Sequence, residues 1–252
     1  MRKWKLGLCF IMLAYSVPVV IAAPAAKEKV AAPEERKETL VGTFALNSPA
    51  GREIAEAIKN GTVTPQQLFE AGDKSEIAAD VEAATIFYKA AADGGHAEAQ
   101  ARIAFILYRS GFDEQAFDFF RKSAEQGNAE GMYGLGVAYE GGTGTKQDFV
   151  EARKWYTRAA EKGNLPSLHA MVDAYRLGNL GLNDAALKSP EALSWIRRGA
   201  DADFVPAVQS LADSYRLGRY GLAIDLKLAE ELDAKLKKLL GIKEVEKRKK
   251  RR

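Results

Sequence analysis

An all-α fold, an α/α superhelical solenoid of stacked helix pairs, is what this 252-residue sequence predicts. A fixed twelve-residue interval recurs four times: Gly95 to Leu107, Gly127 to Tyr139, Gly163 to Tyr175 and Asp203 to Tyr215. Each interval runs through a small apolar stripe to a Leu or Tyr. A second pattern recurs beside it. Ala84-x-x-Phe87-Tyr88-x-x-Ala91-Ala92-x-x-Gly95 matches Ala116-x-x-Phe119-Phe120-x-x-Ser123-Ala124-x-x-Gly127 and Ala152-x-x-Trp155-Tyr156-x-x-Ala159-Ala160-x-x-Gly163, and Ala192, Trp195, Ile196, Gly199 and Ala200 repeat it. Successive repeats measure 32, 36 and 40 residues, and only the links Leu107 to Ala116, Tyr139 to Ala152 and Tyr175 to Ala192 change length. The constant parts read as two helices and the variable part as the loop between them. Units of this period bury their apolar faces only by stacking on one another.

The amino terminus is of another kind. Met1-Arg2-Lys3-Trp4-Lys5 is a basic start, Leu6 to Ala22 is apolar, and small residues follow at Ala22, Ala23 and Ala25. That layout predicts a secretory signal peptide over residues 1–25, cleaved after Ala22 or Ala25, or an uncleaved anchor, since about 17 apolar residues suffice to span a bilayer. Residues 26–47, rich in Ala, Glu, Lys and Pro, read as a flexible linker. Residues 48–74 read as a short helical amino-terminal cap, with Ile54, Ala55 and Ile58 on one side, Gly61 as a stop and Thr64-Pro65 opening the next helix. The solenoid is expected over 75–242 and a basic tail over 243–252.

Within the solenoid Ile103, Leu135, Met171 and Leu211 lie four residues before each closing Leu or Tyr, followed directly by Ala104, Gly136, Val172 and Ala212. The i, i+4 spacing places one stripe on one helix face, and the small neighbours let another helix approach closely. These are core positions. Tyr175-Arg176-Leu177-Gly178-Asn179-Leu180-Gly181-Leu182 recurs as Tyr215-Arg216-Leu217-Gly218-Arg219-Tyr220-Gly221-Leu222. The first glycine of each is expected to end its helix in a left-handed turn and the second to allow another bend. A phosphate-binding reading fails for want of a Lys-Ser/Thr and a preceding strand.

The segment Leu135-Gly136-x-x-Tyr139-x-x-Gly142-x-Gly144-x-x-x-Asp148-x-x-x-Ala152-x-x-Trp155-Tyr156-x-x-Ala159-Ala160-x-x-Gly163 resembles a near-complete Sel1-like repeat, the glycine-rich relative of the tetratricopeptide repeat. The resemblance covers roughly residues 75–240, with Ala84–Gly95 as a leading second helix and Leu232, Leu236 and Leu239 in a closing cap. Ser110-Gly111-Phe112 departs from the pattern in lacking the double glycine. The resemblance implies a TPR-like superhelix that binds other proteins. It also implies that the first helix of each unit lines the concave face. One step off the core stripe stand Ala101, Phe105 and Tyr108; Tyr133, Val137 and Glu140; His169, Asp173 and Arg176; and Gln209, Asp213 and Arg216. Phe105, Tyr133, Val137, His169, Asp173, Arg176, Gln209, Asp213 and Arg216 are therefore the candidate protein-binding residues. The expected groove takes an apolar anchor near the first two of these units and a basic or mixed-charge segment near the last two. The competing reading makes the Asp–Arg pairs local surface pairs and buries the aromatics.

Cys9 is the only cysteine, so residues 26–252 hold none and a disulfide framework is excluded. Formal charge is +3, yet Lys243 to Arg252 carries seven basic and two acidic residues, leaving residues 26–242 acidic. The tail, Lys247 to Arg252 above all, is expected either to touch an anionic membrane or other polyanion or to serve as a solvated end. The export signal and the want of a basic stripe on the repeats argue against nucleic acid. His96 and His169 are the only histidines, with no metal-binding or nucleophile motif around them. His169 with Asp173 one turn later is the one local acid–base pair. No catalysis, cofactor or metal is expected. The leading function is a protein-interaction scaffold or adaptor, periplasmic or secreted, in a Gram-negative envelope. A periplasmic regulator restraining a membrane receptor's sensor domain is the alternative, and a cell-wall or glycan enzyme the third.

Overall fold

The computed structural model describes Glu56, Ala57 and residues 60–242, which lie within one compact unit, Ala45–Arg252. The expected signal segment, the linker, residues 48–55 of the cap and the tail 243–252 lie outside the described residues. The described residues are helical, with no strand among them. Eleven α-helices follow in order: α1 Pro65–Ile77, α2 Val81–Asp93, α3 Ala97–Arg109, α4 Asp113–Glu125, α5 Ala129–Gly141, α6 Phe149–Glu161, α7 Leu165–Leu177, the short α8 Asp184–Leu187, α9 Pro190–Asp201, α10 Val205–Leu217 and α11 Leu226–Leu239. The helices pack as consecutive pairs, α1/α2, α3/α4, α5/α6, α7/α9 and α10/α11, each stacked on the next.

Capping residues set the helix starts. Asp80, Asn128, Asp148, Asn164, Ser189 and Asp225 each accept a backbone N–H of the first turn on a side-chain oxygen, and His96 does so through Nδ1. Between each second helix and the next first helix the chain passes through a left-handed residue. Gly95, Gly127 and Gly163 take it at φ 93, 86 and 86°, and Asp203 takes it at φ 60°. A residue with a Cβ is strained there, which explains the glycine at the head of the recurring interval.

The repeat begins one helix earlier than the expected boundary between 74 and 75, which falls inside α1. Thr64 and Gln67 form a reciprocal capping box, and α1 pairs with α2 as a complete first unit. Here Ala71, Gly72 and Ser75 fill the positions held elsewhere by Ile103, Ala104 and Leu107. With those small residues α1 carries no recognisable stripe. Its signal was metrical: Ser75 precedes Ala84 by the same nine residues that separate Leu107 from Ala116.

The core follows the expected stripe. Ile103, Leu135, Met171 and Leu211 are 3, 1, 2 and 7% exposed. In each second helix the residue four after the first alanine, Tyr88, Phe120, Tyr156 or Ile196, is buried. Missing Cβ atoms make room for these rings: one at Gly134 would lie 2.0 Å from Phe120, and one at Gly136 2.5 Å from Tyr156. The two duplicated loops share one conformation. Gly178 and Gly218 end α7 and α10 at φ 77 and 66°, and Gly181 and Gly221 follow at 68 and 73°. The first of these loops leans back on α6, where Arg153 donates to the Leu180 carbonyl and Phe149 lies against Gly181. Likewise the loop at Gly144 sits against the Asp113 backbone at the start of α4.

Candidate protein-binding face

First helices of successive units touch, α3 with α5 and α5 with α7, whereas second helices make no comparable contact among the described elements. The first helices therefore crowd together on the inner side of the stack. Three columns run along them. The fifth residues are Phe69, Ala101, Tyr133, His169 and Gln209; the ninth are Asp73, Phe105, Val137, Asp173 and Asp213; the twelfth are Glu76, Tyr108, Glu140, Arg176 and Arg216. These equivalent positions carry the expected stripe, and α1, expected only as a helix of the amino-terminal cap, adds Phe69, Asp73 and Glu76 to it.

The middle of this face is aromatic. Phe105 meets Phe120 edge-on at 4.8 Å and lies 6.1 Å from Tyr133, which lies 5.9 Å from Tyr156. Phe105, Tyr108, Tyr133 and Val137 are each only partly buried. Ala101, by contrast, is fully buried at 0% exposure. The Tyr156 hydroxyl donates to Glu140 at 2.5 Å. Burial, reinforced by the Glu140 carboxylate, raises the Tyr133 hydroxyl and holds that of Tyr156 well above the ordinary tyrosine range.

Toward either end the face is charged, and these groups are bonded within the chain. Tyr88 donates from a hydroxyl 2.7 Å from both Asp73 and Glu76. Arg176 bonds Asp173 at 2.6 Å and reaches Ser210 of α10 at 2.8 Å. Arg216 pairs with Asp213 and, at 2.7 Å, with Asp233 of α11. The expectation of a basic or mixed-charge subsite over the last two units meets a physical obstacle in this pairing. Asp173 and Asp213 are occupied by their own arginines three residues on, and a partner cation would have to displace them. His169 stacks on Phe204 at 4.0 Å; burial pushes its pKa down while Asp173 opposes. With Asp173 bonded to Arg176, His169 and Asp173 do not form an acid–base couple. Gln209 is exposed.

Residues along the columns change together. Four places after the first alanine of the second helix stand Tyr88, Phe120, Tyr156, Ile196 and Asp233, opposite Glu76, Tyr108, Glu140, Arg176 and Arg216. A tyrosine meets a glutamate twice, and the final aspartate meets an arginine. Asp233 thus stands where earlier units bury a ring or, at Ile196, an aliphatic side chain, and the last unit carries an ion pair there instead.

The protein family described as Sel1 repeat matches residues 67–96, 97–128 and 129–164, that is, the units α1/α2, α3/α4 and α5/α6. The DAP3-binding cell death enhancer 1 of Rattus norvegicus is 32% identical over 101 residues, 39% of this chain and 20% of that protein. This chain therefore spans only about a fifth of that relative. A protective antigen present in uropathogenic Escherichia coli, with an SLR fold, superposes with a TM-score of 0.62 at 26% identity over 75% of this chain and 41% of the antigen. A Sel1 repeat protein from Oxalobacter formigenes shares the fold, with a TM-score of 0.54 at 23% identity over 77% of this chain and 76% of its own.

Proposed function

We propose that this chain, a Sel1-like repeat protein, is a non-catalytic adaptor of the bacterial cell envelope that holds a protein segment against the aromatic middle of its inner face. Sel1-repeat proteins are in general protein-interaction adaptors. The observation that carries the proposal to particular residues is the partly buried cluster Phe105, Tyr108, Tyr133 and Val137, flanked on one side by the Asp–Arg pairs of the last units and on the other by Asp73 and Glu76 beside the Tyr88 hydroxyl. Aromatic groups with one face packed and one exposed are the usual anchors of protein recognition. The groove accordingly takes an apolar or aromatic side chain of its partner, and the ion pairs beside it set the rim. The export-like amino terminus and the bacterial structural relatives support the envelope setting. A regulator that restrains the sensor domain of a membrane receptor is the second reading, favoured by the same surface.

Photo-cross-linkers at Val137 and Gln209 in the native cell, with mass spectrometry of the captured proteins, test this. Capture from Val137 that is lost in Phe105→Ala supports the aromatic anchor. Several envelope proteins captured would identify an adaptor, and one membrane receptor in stoichiometric amount the regulator. Capture from Gln209 but not from Val137 would overturn the aromatic site.

A further inference from the structure

The last turn of α11 carries an apolar tip that the fold leaves uncovered. Leu232 and Leu236 pack back on the core, but Leu239, Leu240 and Ile242 are 36, 53 and 55% exposed. Their arrangement is ordered. Gly241 at φ 67° ends the helix, its N–H bonding the Lys238 carbonyl at 3.1 Å and the Ile242 N–H the Lys237 carbonyl at 2.9 Å. In this Schellman turn the residue after the glycine ordinarily folds onto an apolar side chain on the last turn. Here those positions are Lys237 and Leu236, and Ile242 nevertheless stays more than half exposed.

The charge of the last turn is positive. Lys237 and Lys238 are exposed and form no ion pair among the described residues, while Lys235 is held by Asp203 at 2.7 Å. Immediately after Ile242 the sequence runs Lys243 to Arg252 with seven basic residues against two acidic. On the same edge of the stack Asp201 and Glu161 end α9 and α6 and stay exposed, so the cationic character belongs to the tip and not to the edge as a whole.

We infer that this tip is a docking point for an anionic lipid bilayer: Leu239, Leu240 and Ile242 enter the headgroup–acyl boundary while Lys237 and Lys238 meet the anionic headgroups. Free polyanions match the cations but offer no apolar phase for two leucines and an isoleucine, whereas a bilayer surface supplies both. The contact is peripheral, since no helix among the described residues is long and apolar enough to cross a membrane. Each Lys or Arg that reaches an anionic surface strengthens binding about fivefold at physiological salt. The contribution fades once the screening length shrinks to about 4 Å near 0.5 M salt.

The test is a depth probe on the full chain. In a Cys9→Ser background an environment-sensitive fluorophore is attached through Ile242→Cys and, as a control, separately through Glu161→Cys. Vesicles of 30% phosphatidylglycerol in phosphatidylcholine should blue-shift the 242 probe and leave the 161 probe unchanged. Pure phosphatidylcholine or 0.5 M salt should abolish the shift. Lys237→Glu with Lys238→Glu should raise the lipid concentration needed by tenfold or more, with helicity unchanged. An unshifted 242 probe overturns the proposal, even where the protein sediments with vesicles through residues 1–22. So do equal shifts at 242 and 161, or a heparin complex formed when the vesicles leave the 242 probe unmoved.

Discussion

Gly134 and Gly136 show how closely a single side chain is constrained in this stack. With the Phe120 ring 2.0 Å and the Tyr156 ring 2.5 Å from where a Cβ would stand, neither site has slack, and the rings are themselves buried. Gly134→Ala is expected to destabilise by about 1–3 kcal/mol through overpacking, outweighing the roughly 1 kcal/mol that alanine gains in helix propensity. A melting temperature equal to or above that of the parent would disprove this reading. The buried tyrosines make a second prediction. Burial first, and then the neighbouring carboxylates, push Tyr88, Tyr156 and Tyr175 above the usual value of 10. The folded state thus holds protons that the unfolded state releases, so the associated stability is intact below pH 10 and falls as pH climbs past it. Denaturant titrations from pH 8 to 11 should show that decline, and Tyr156→Phe should lessen its slope. At neutral pH that variant should lose only about 0.5–1.5 kcal/mol, the net worth of the bond to Glu140, because Phe120 already fills the equivalent site in the preceding unit. His169 works in the opposite direction. Its pKa is lowered by burial, so its contribution is present above 6.5 and lost on acidification, and His169→Phe should flatten stability between pH 5 and 7 while keeping the stack on Phe204.

At the level of the element, the helix that most repays attention is α1, because a boundary at residue 75 would cut through it. Its Leu68, Phe69 and Gly72 are buried, and Gly72 leaves room for the Tyr88 ring, where a Cβ would stand 2.6 Å away. A chain starting at residue 75 should therefore expose the inner side of α2 and lose amide protection there, whereas one starting at 62 should keep it; hydrogen exchange distinguishes the two. The helix itself is legible from Thr64-Pro65, which caps it, but its place in the repeat is not, because Ala71, Gly72 and Ser75 carry too little hydrophobic contrast for a period to stand out, although the loop after it keeps the spacing of the next. The second helices were legible for the opposite reason. Their doublets, from Phe87-Tyr88 to Trp155-Tyr156, place a large buried ring at a constant distance from alanines that are 0 to 4% exposed. The closing helix α11 differs again, with Ala229 its only buried residue against six in α9. It should exchange its amides ahead of α5 and α7, and Arg216→Met, which removes the pairing with Asp233, should accelerate that opening. Because these side chains are nearly two-fifths exposed, the change in global stability should stay under about 1 kcal/mol.

Over the whole solenoid, each unit leans only on its neighbours, so stability is expected to grow from the two ends toward the middle and unfolding to begin at α11. The functional surface has the same layout. Its accessible aromatic groups sit on α3 and α5, away from the fraying end, where a partner meets a rigid platform. The sequence by itself determined the helical pairing, the core stripe, the elastic loops and the glycine junctions, because each depends on spacings of a few residues along one chain and on backbone angles that few residues can adopt. It also set the register of the columns from one unit to the next, while the resemblance alone implied that they face inward. Only the tertiary structure decided what those columns can offer. Whether Asp173 and Asp213 are open to a partner depends on arginines that turn back to them, on Ser210 in the next unit and on Asp233 in the closing helix. Such pairings are set by distances between helices that the stacking angle controls, and no period along the chain records that angle.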